Sequence, residues 1–213
     1  MSVGVKICGL KTETAVAAVI AGGAAFAGFV FFEKSPRFIT PAAAGALRAA
    51  LPPTIPAVAV TANADDAALE AIVEGMRPDY LQLHGAESPA RVAAVKAGTG
   101  LKVIKAIPVA KAEDLAAVAD FDKVADLLLF DAKPAPGDAL PGGNARRFDW
   151  GLVAGVATRV PFMLAGGLTA DTVREAVTRS GAGFVDVSSG VERAPGEKDV
   201  GLIAAFLDAA RAL

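Results

Sequence analysis

Short apolar segments rich in β-forming residues alternate with alanine-rich segments along the whole chain, and this alternation restricts the possible folds more than any other feature. Several of the apolar segments are continuously apolar, which is typical of strands that are covered on both faces. We predict eight strands, over residues 3–8, 26–32, 57–61, 80–84, 102–107, 127–131, 162–165 and 184–188.

The segments between these strands have the pattern of amphipathic helices, and several begin with a capping residue or with proline in the first turn. Pro41 and the Ser88-Pro89 pair are the clearest of these signals. No serine- or proline-rich linker interrupts the strand–helix units, which predicts one domain over residues 1–213. We predict eight helices, over residues 13–22, 41–51, 65–75, 88–97, 111–119, 150–158, 171–180 and 200–213.

Eight parallel strands with helices between them can close into a barrel or remain an open, doubly wound sheet. An open sheet usually has its phosphate-binding glycines after the first strand, whereas the strongest glycine-rich turns of this chain follow the last two strands. Barrels often build a phosphate site at that place. We therefore predict an α/β fold with a single parallel, eight-stranded (β/α)8 barrel, the TIM barrel.

The charge balance and the cysteine content argue against several classes of protein. The 21 basic and 23 acidic residues give a net charge of −2, whereas a nucleic-acid-binding protein needs a basic face. The single cysteine excludes an intrachain disulfide, argues against a cysteine-ligated zinc site and fits a reducing compartment. The sequence shows no signal-peptide pattern and no apolar run of membrane-spanning length. We expect a cytoplasmic protein without a metal site or a membrane or nucleic-acid partner.

Polar and titratable residues collect at the predicted C-terminal ends of the otherwise apolar strands, where barrel enzymes have their active sites. This clustering is the main sign of an active site that the residues themselves provide. The residues at these ends are Cys8, Gly9, residues 33–37, Thr61, His84, Gly85, Lys105, Asp131, Gly166, Gly167, Ser188, Ser189 and Gly190.

Seven segments resemble, in order, the signature blocks of the phosphoribosylanthranilate isomerase family. Each block alone has little specificity, but together they extend over nearly the whole chain. One departure is that this chain has Gly142-Gly143-Asn144-Ala145 where the family usually has a GGTG-like turn. The resemblance therefore does not extend to the backbone contacts that this loop makes in the family. The blocks are VKICGL at 5–10, FFEKSPR at 31–37, LQLHG at 81–85, LLLFDAK at 127–133, GG…RFDW at 142–150, LAGGL at 164–168, and DVSSGVE with PGEKD at 186–199.

The resemblance implies a cofactor-independent Amadori rearrangement in tryptophan biosynthesis. The aminoaldose N-(5'-phosphoribosyl)anthranilate would become 1-(2-carboxyphenylamino)-1-deoxyribulose 5-phosphate. The resemblance implies that Cys8 is the general base and Asp131 the general acid. It also implies that Arg37 binds the anthranilate carboxylate and that His84 contacts the substrate or orients the site. The glycine-rich turns would bind the phosphate through Gly166, Gly167, Ser189 and Gly190.

Each of these residues also has a plainer interpretation. A lone cysteine is usually a small buried hydrophobic residue, Asp131 could cap a helix or pair with Lys133, and Arg37 could be a solvated loop residue. A structural role for His84 is almost as well supported as a substrate contact, and its ring is also the alternative acid–base group. The glycine pairs could simply form tight turns.

Lys6 and Asp186 form a further candidate pair, because strand periodicity turns Lys6 to the same face as Cys8 and strand eight closes beside strand one. We predict a buried ion pair that supports Cys8, with a purely structural role as the alternative interpretation.

Two other functions compete with the isomerase. One is a related phosphate-binding barrel, such as the histidine-pathway aminoaldose isomerase or a dual-substrate isomerase. These have an aspartate base at the end of strand one, so Cys8 argues against them. The other is a non-catalytic barrel that binds a phosphorylated ligand or a partner, and the presence of both Cys8 and Asp131 argues against it. The expected partner is a small phosphorylated substrate, and both a monomer and a homodimer remain open.

Overall fold

A computed structural model describes residues 3–135, 137, 142 and 146–213. Over these residues eight parallel strands pair in sequence order, and β1 pairs with both β2 and β8, so that the sheet closes into a barrel. The predicted (β/α)8 barrel is therefore confirmed. The strands are β1 (Gly4–Cys8), β2 (Phe26–Val30), β3 (Ala57–Thr61), β4 (Tyr80–Leu83), β5 (Lys102–Val109), β6 (Leu127–Ala132), β7 (Phe162–Leu164) and β8 (Phe184–Val187).

Helices cover the outside of the barrel, and polar side chains cap several of their first turns. Thr12, Thr40, Asp65, Ser88 and Asp199 each accept a hydrogen bond from a backbone N–H three residues later, which satisfies a donor that the helix itself leaves unpaired. The helices are α1 (Glu13–Ala21), α2 (Pro41–Arg48), α3 (Asp66–Met76), α4 (Pro89–Thr99), α5 (Val118–Phe121), α6 (Val173–Ser180) and α7 (Val200–Arg211).

Two of the predicted helices were wrong in kind or length. The predicted helix 111–119 is a 3-10 helix, Ala112–Ala117, followed by the single turn of α5, and the side chain of Asp114 holds its start by accepting from the backbone of Ala110 and Lys111. The predicted helix 150–158 is reduced to a 3-10 helix, Trp150–Val153, and the chain leaves helical geometry before Gly155, whose φ is +73°. A left-handed glycine stops helix propagation there.

A short antiparallel hairpin after β8 was not predicted. It consists of β9 (Glu192–Ala194) and β10 (Glu197–Lys198), which lie between a 3-10 helix, Ser189–Val191, and α7. Gly196 forms its turn with a φ of +82°, a conformation that favours glycine. Strands of two and three residues carry too little periodicity to be recognised in a sequence.

Consecutive strand residues pack into two separate apolar layers, one inside the barrel and one between the barrel and the helices. Ile7, for example, packs toward the helices, whereas Cys8 belongs to the interior cluster. Phe26 contacts Tyr80 and Phe184 edge-on inside the barrel, with ring centroids 5.5 and 5.8 Å apart. By the same alternation, the last inward-pointing residue of each strand lies at the C-terminal mouth of the barrel.

Lys105 does not belong to the cluster of strand-end groups in which the sequence analysis included it. Its neighbours Ile104 and Ala106 point into the barrel, so Lys105 points outward. There its ammonium donates to the carboxylate of Glu87 at 2.7 Å and to two backbone carbonyls, those of Leu83 and Gly85. Both charged side chains are less than 5% exposed.

We expect Lys105→Met to lower the free energy of unfolding by about 3–5 kcal/mol, because it leaves the carboxylate of Glu87 buried without its cation. Urea unfolding followed by circular dichroism measures this change. The control is Lys123→Met, since Lys123 lies 3.7 Å from Asp120 in an exposed pair and should matter by less than about 1 kcal/mol. Equal effects of the two substitutions would contradict the prediction.

Among the described residues, no helix combines the length and the apolar character that a membrane crossing requires. Within the same part of the chain, no group of three or more histidine, cysteine or acidic side chains could hold a metal ion.

Candidate active site

One pocket opens at the C-terminal ends of the strands, and the predicted site residues meet in its wall. Residues that are far apart in the sequence come together there because the parallel strands all end at the same rim of the barrel. The predicted residues that line it are Cys8, Arg37, His84, Asp131, Gly166, Gly167, Ser189 and Gly190.

Cys8 ends β1 and lies directly beside a buried ion pair. The ammonium of Lys6 is 2.9 Å from Oδ1 of Asp186, and the two residues are register partners on β1 and β8, which confirms the predicted pair. Gly28 on β2 makes room for this cluster: a Cβ atom there would lie 3.1 Å from Cε of Lys6 and 3.2 Å from Sγ of Cys8. Lys6 and Cys8 lie two residues apart on the same face of β1, so the fully buried ammonium of Lys6 lies close to the thiol.

The surroundings of Cys8 act on its ionisation in opposite directions. Burial raises the pKa of the thiol above its ordinary value, and Asp186 raises it further, whereas the nearby charges of Lys6 and Lys198 oppose the shift. Burial alone would lower the pKa of Lys6, but Asp186 and Cys8 raise it above its ordinary value. Lys6 is therefore held in its charged form next to the sulfur.

Asp131, at the end of β6, lies next to His84 at the barrel mouth. The amide nitrogen of Gln82 lies 2.8 Å from Nδ1 of His84, and Nε2 of His84 lies 3.2 Å from Oδ2 of Asp131. An amide nitrogen can only donate, so Nδ1 accepts from Gln82, and the neutral ring then carries its proton on Nε2, the nitrogen nearer to Asp131. Oδ1 of Asp131 accepts from the backbone N–H of Ala132 at 2.8 Å.

The backbone at Gly142 closes over His84 and Asp131. A Cβ atom at this position would lie 2.6 Å from Nε2 of His84 and 2.7 Å from Oδ2 of Asp131. A side chain at position 142 would therefore have to displace His84 or the carboxyl group of Asp131. The departure from the family pattern at Asn144 and Ala145 lies outside the described residues.

The loops after β7 and β8 are packed together in the wall of the pocket. Gly166 and Gly167 have φ values of +92° and +65°, in the left-handed region. A Cβ atom at Gly190 would lie 1.9 Å from the carbonyl oxygen of Leu168, so the two loops touch through their backbones. Such glycine turns let backbone N–H groups come close to an oxyanion.

A model of the family described as N-(5'-phosphoribosyl)anthranilate (PRA) isomerase matches residues 5–209 of the chain. The chain belongs to this family. A relative from Brucella canis, named N-(5'-phosphoribosyl)anthranilate isomerase, is 54% identical over 209 residues, which cover 98% of this chain and 94% of the relative.

Two solved structures of phosphoribosylanthranilate isomerases are similar to the chain over their whole length. The enzyme from Thermotoga maritima has a TM-score of 0.88 and 32% sequence identity, and the match covers 99% of this chain and 100% of that one. A structure of the isomerase in complex with reduced 1-(o-carboxyphenylamino)-1-deoxyribulose 5-phosphate has a TM-score of 0.85 and 31% identity, with the same coverage.

In this member of the isomerase family, two charged residues of the hairpin approach the site without having been singled out in the sequence. Glu192 accepts from Nε and Nη2 of Arg37, both at 2.8 Å, and from Nζ of Lys198 at 2.7 Å. Lys198 also donates to Ser188, which follows β8. The signal was present, because both residues belong to the blocks VSSGVE and PGEKD, but their spacing does not indicate which partner they share.

Proposed function

We propose that the chain converts N-(5'-phosphoribosyl)anthranilate into 1-(2-carboxyphenylamino)-1-deoxyribulose 5-phosphate in tryptophan biosynthesis, with Cys8 as general base and Asp131 as general acid. The observation that carries the proposal is that a thiol and a carboxyl group line one pocket, which is flanked by two glycine-rich turns. Membership in the isomerase family supports the same reaction.

The reaction needs one acid and one base. Asp131 gives its proton to the furanose oxygen, whose bond to C1 breaks with the electron pair remaining on the oxygen, while the lone pair of the anthranilate nitrogen forms a C=N bond. The thiolate of Cys8 then removes the proton from C2, the C2–H electrons form the C1=C2 bond, and the C=N pair returns to the nitrogen, which gives the enolamine. Tautomerisation to the ketone moves one proton from the C2 hydroxyl to C1. Transfer of one proton from the thiol to the carboxylate of Asp131 through solvent returns both residues to their starting states. C2 is oxidised and C1 is reduced within the same molecule, so no electrons are exchanged with an external partner and the proposal needs no cofactor.

Neighbouring groups stabilise the carboxylate that forms on Asp131. The backbone N–H of Ala132 donates to Oδ1 at 2.8 Å, and Nε2 of His84 lies 3.2 Å from Oδ2, so both groups stabilise the negative charge that develops when the proton leaves. This geometry favours His84 as an orienting residue over the alternative of His84 as the acid or base. Lys6 and Lys198 play the corresponding part for the thiolate, since both oppose the rise in the pKa of Cys8.

Two further groups would hold the ends of the substrate. The phosphate would lie against Gly166, Gly167, Ser189 and Gly190, as predicted. Arg37 would bind the carboxylate of the anthranilate ring, because a guanidinium group matches the geometry of a carboxylate. Arg37 is buried at 5% exposure in the pocket wall, which argues against the interpretation as a solvated loop residue.

The wider predictions remain part of the proposal. These are a single domain over residues 1–213, a cytoplasmic location, a small phosphorylated substrate as the partner, and no nucleic-acid partner. A monomer and a homodimer both remain possible; one similar solved structure is described as monomers generated from the dimeric isomerase of Thermotoga maritima.

A fluorescence assay that follows the consumption of freshly prepared phosphoribosylanthranilate tests the proposal. We expect turnover by the purified chain without added metal or cofactor. No turnover of this substrate would overturn the isomerase proposal. The histidine-pathway aminoaldose, offered in parallel, tests the alternative of a related barrel isomerase, and binding of either compound without conversion would indicate the non-catalytic alternative.

A further inference from the structure

The carboxylate of Glu192 joins two cations, Lys198 and Arg37, and Arg37 lines the pocket. Nε and Nη2 of Arg37 form a two-bond fork on its two oxygens, and the ammonium of Lys198 binds Oε1 as well. The side chains of Arg37, Glu192 and Lys198 are 7%, 4% and 3% exposed. Burial alone would raise the pKa of Glu192, but its bonds with Arg37 and Lys198 lower it below the ordinary value.

The same contact holds three loops of the barrel mouth together. Arg37 packs on Gly9, after β1, where a Cβ atom would lie 2.8 Å from Cδ of Arg37. The hairpin turn at Gly196 lies so close to Pro36 that a Cβ atom there would be 2.3 Å from the Pro36 carbonyl oxygen. The loop that carries Arg37 is thus enclosed between the loops after β1 and β8, and Glu192 is its charged anchor.

The three charges leave a defined excess. Arg37 and Lys198 contribute +1 each and Glu192 contributes −1, so the cluster has a net charge of +1 beside the pocket. Lys198 donates to Glu192 at 2.7 Å and to the carbonyl and hydroxyl oxygens of Ser188 at 2.9 and 3.3 Å, so its ammonium is engaged by protein oxygens. Its charge instead offsets that of Glu192, which would otherwise repel an anionic ligand.

We propose that Glu192 is a positioning residue for carboxylate recognition, which fixes the guanidinium of Arg37 in the orientation that binds the ring carboxylate of the substrate. This inference rests on the proposed function. Without Glu192, Arg37 loses the fork that orients it, and the buried charges of Arg37 and Lys198 repel each other without a carboxylate between them. Preorganisation of the binding group is lost, although its charge remains.

Binding of two ligands that differ in one group tests the proposal. We would measure the dissociation constants of reduced 1-(o-carboxyphenylamino)-1-deoxyribulose 5-phosphate and of its counterpart without the ring carboxylate by titration calorimetry. We expect Glu192→Gln to raise the dissociation constant of the carboxylated ligand by about 10- to 100-fold, the range that one charge-assisted hydrogen bond contributes to binding. The ligand without the carboxylate should change by less than about twofold.

Glu197→Gln is the matched control, since Glu197 lies in the same hairpin and forms an exposed pair with Arg193 at 2.9 Å. It should change neither constant. Glu192→Asp keeps the charge but shortens the side chain, so it should give a smaller loss with the same ligand selectivity, and it carries the test if Glu192→Gln does not fold.

Equal weakening of both ligands would mean a purely structural role for Glu192 and would overturn the inference. Unchanged or tighter binding of the carboxylated ligand would also overturn it, because Glu192 would then merely compete for Arg37. Failure of the wild-type chain to bind either ligand would overturn the proposed function itself, and the inference with it.

Discussion

Cys8→Ser is expected to lower kcat of the proposed isomerisation by about 10²–10⁴-fold, the usual contribution of one general base. A serine hydroxyl fills nearly the same space as the thiol, so the pocket should keep its shape. It is a far weaker acid than a thiol, however, and the positive charge of Lys6 cannot make it ionise near neutral pH. The fluorescence assay measures the loss, and the urea unfolding midpoint checks that the fold is retained.

The ionisation of Cys8 can be followed directly because it is the only cysteine of the chain. The charged groups that act on it are Lys6, Asp186 and Lys198, and burial outweighs the two lysines, so its pKa lies above the ordinary value. A base must be deprotonated, so kcat/KM of the wild type should rise with pH through this pKa. The alkylation rate of Cys8 with iodoacetamide should rise over the same range.

Two results would contradict the assignment of Cys8. One is a Cys8→Ser variant with nearly normal kcat. The other is a kcat/KM that stays level over the pH range in which the alkylation rate rises. Either would leave the family membership intact and move the role of the base, with His84 as the next residue to replace.

Asp131→Asn is expected to cause a loss of similar size, about 10²–10⁴-fold in kcat, because an amide has no proton to give to the furanose oxygen. The amide is nearly isosteric with the carboxyl group, and its oxygen can still accept from the backbone N–H of Ala132. The loss should therefore lie in the chemical step, with KM changing much less.

The control for this substitution is an aspartate next to the first residue of the same strand. Asp126 immediately precedes β6 at the opposite end of the barrel, where it binds Lys96 at 2.8 Å and the backbone N–H of Val103. Asp126→Asn should keep kcat within about twofold, whatever it costs in stability. A nearly normal kcat for Asp131→Asn would contradict the assignment of the acid.

Local patterns in the sequence were sufficient for the architecture of the barrel. All eight strands lie where apolar segments predicted them, and β3 has the predicted bounds, Ala57–Thr61. The predictions were poorer where the segments are short. The two helices that became 3-10 turns, Ala112–Ala117 and Trp150–Val153, depend on side-chain caps and glycines that compete with a weak helical pattern.

Strand periodicity also determined part of the site. Once Cys8 is known to point inward, the residue two positions earlier must do so too, and the pairing of β1 with β8 brings Asp186 to Lys6. The same rule, applied to β5, turns Lys105 outward, because its neighbours Ile104 and Ala106 fill the interior. A residue at a strand end therefore enters the pocket only if the alternation of side chains along the strand also turns it inward.

The sequence by itself predicted the strands and helices of the barrel, the strand-end positions of Cys8 and Asp131, and the glycine-rich turns, because each of these follows from patterns within short segments of the chain. Only the tertiary structure decided which charged groups meet. Arg37 and Glu192 are 155 residues apart, and nothing local to either specifies the other. Their pairing depends on loop conformations and on barrel closure, which bring the loop after β2 and the hairpin after β8 to the same side of the pocket.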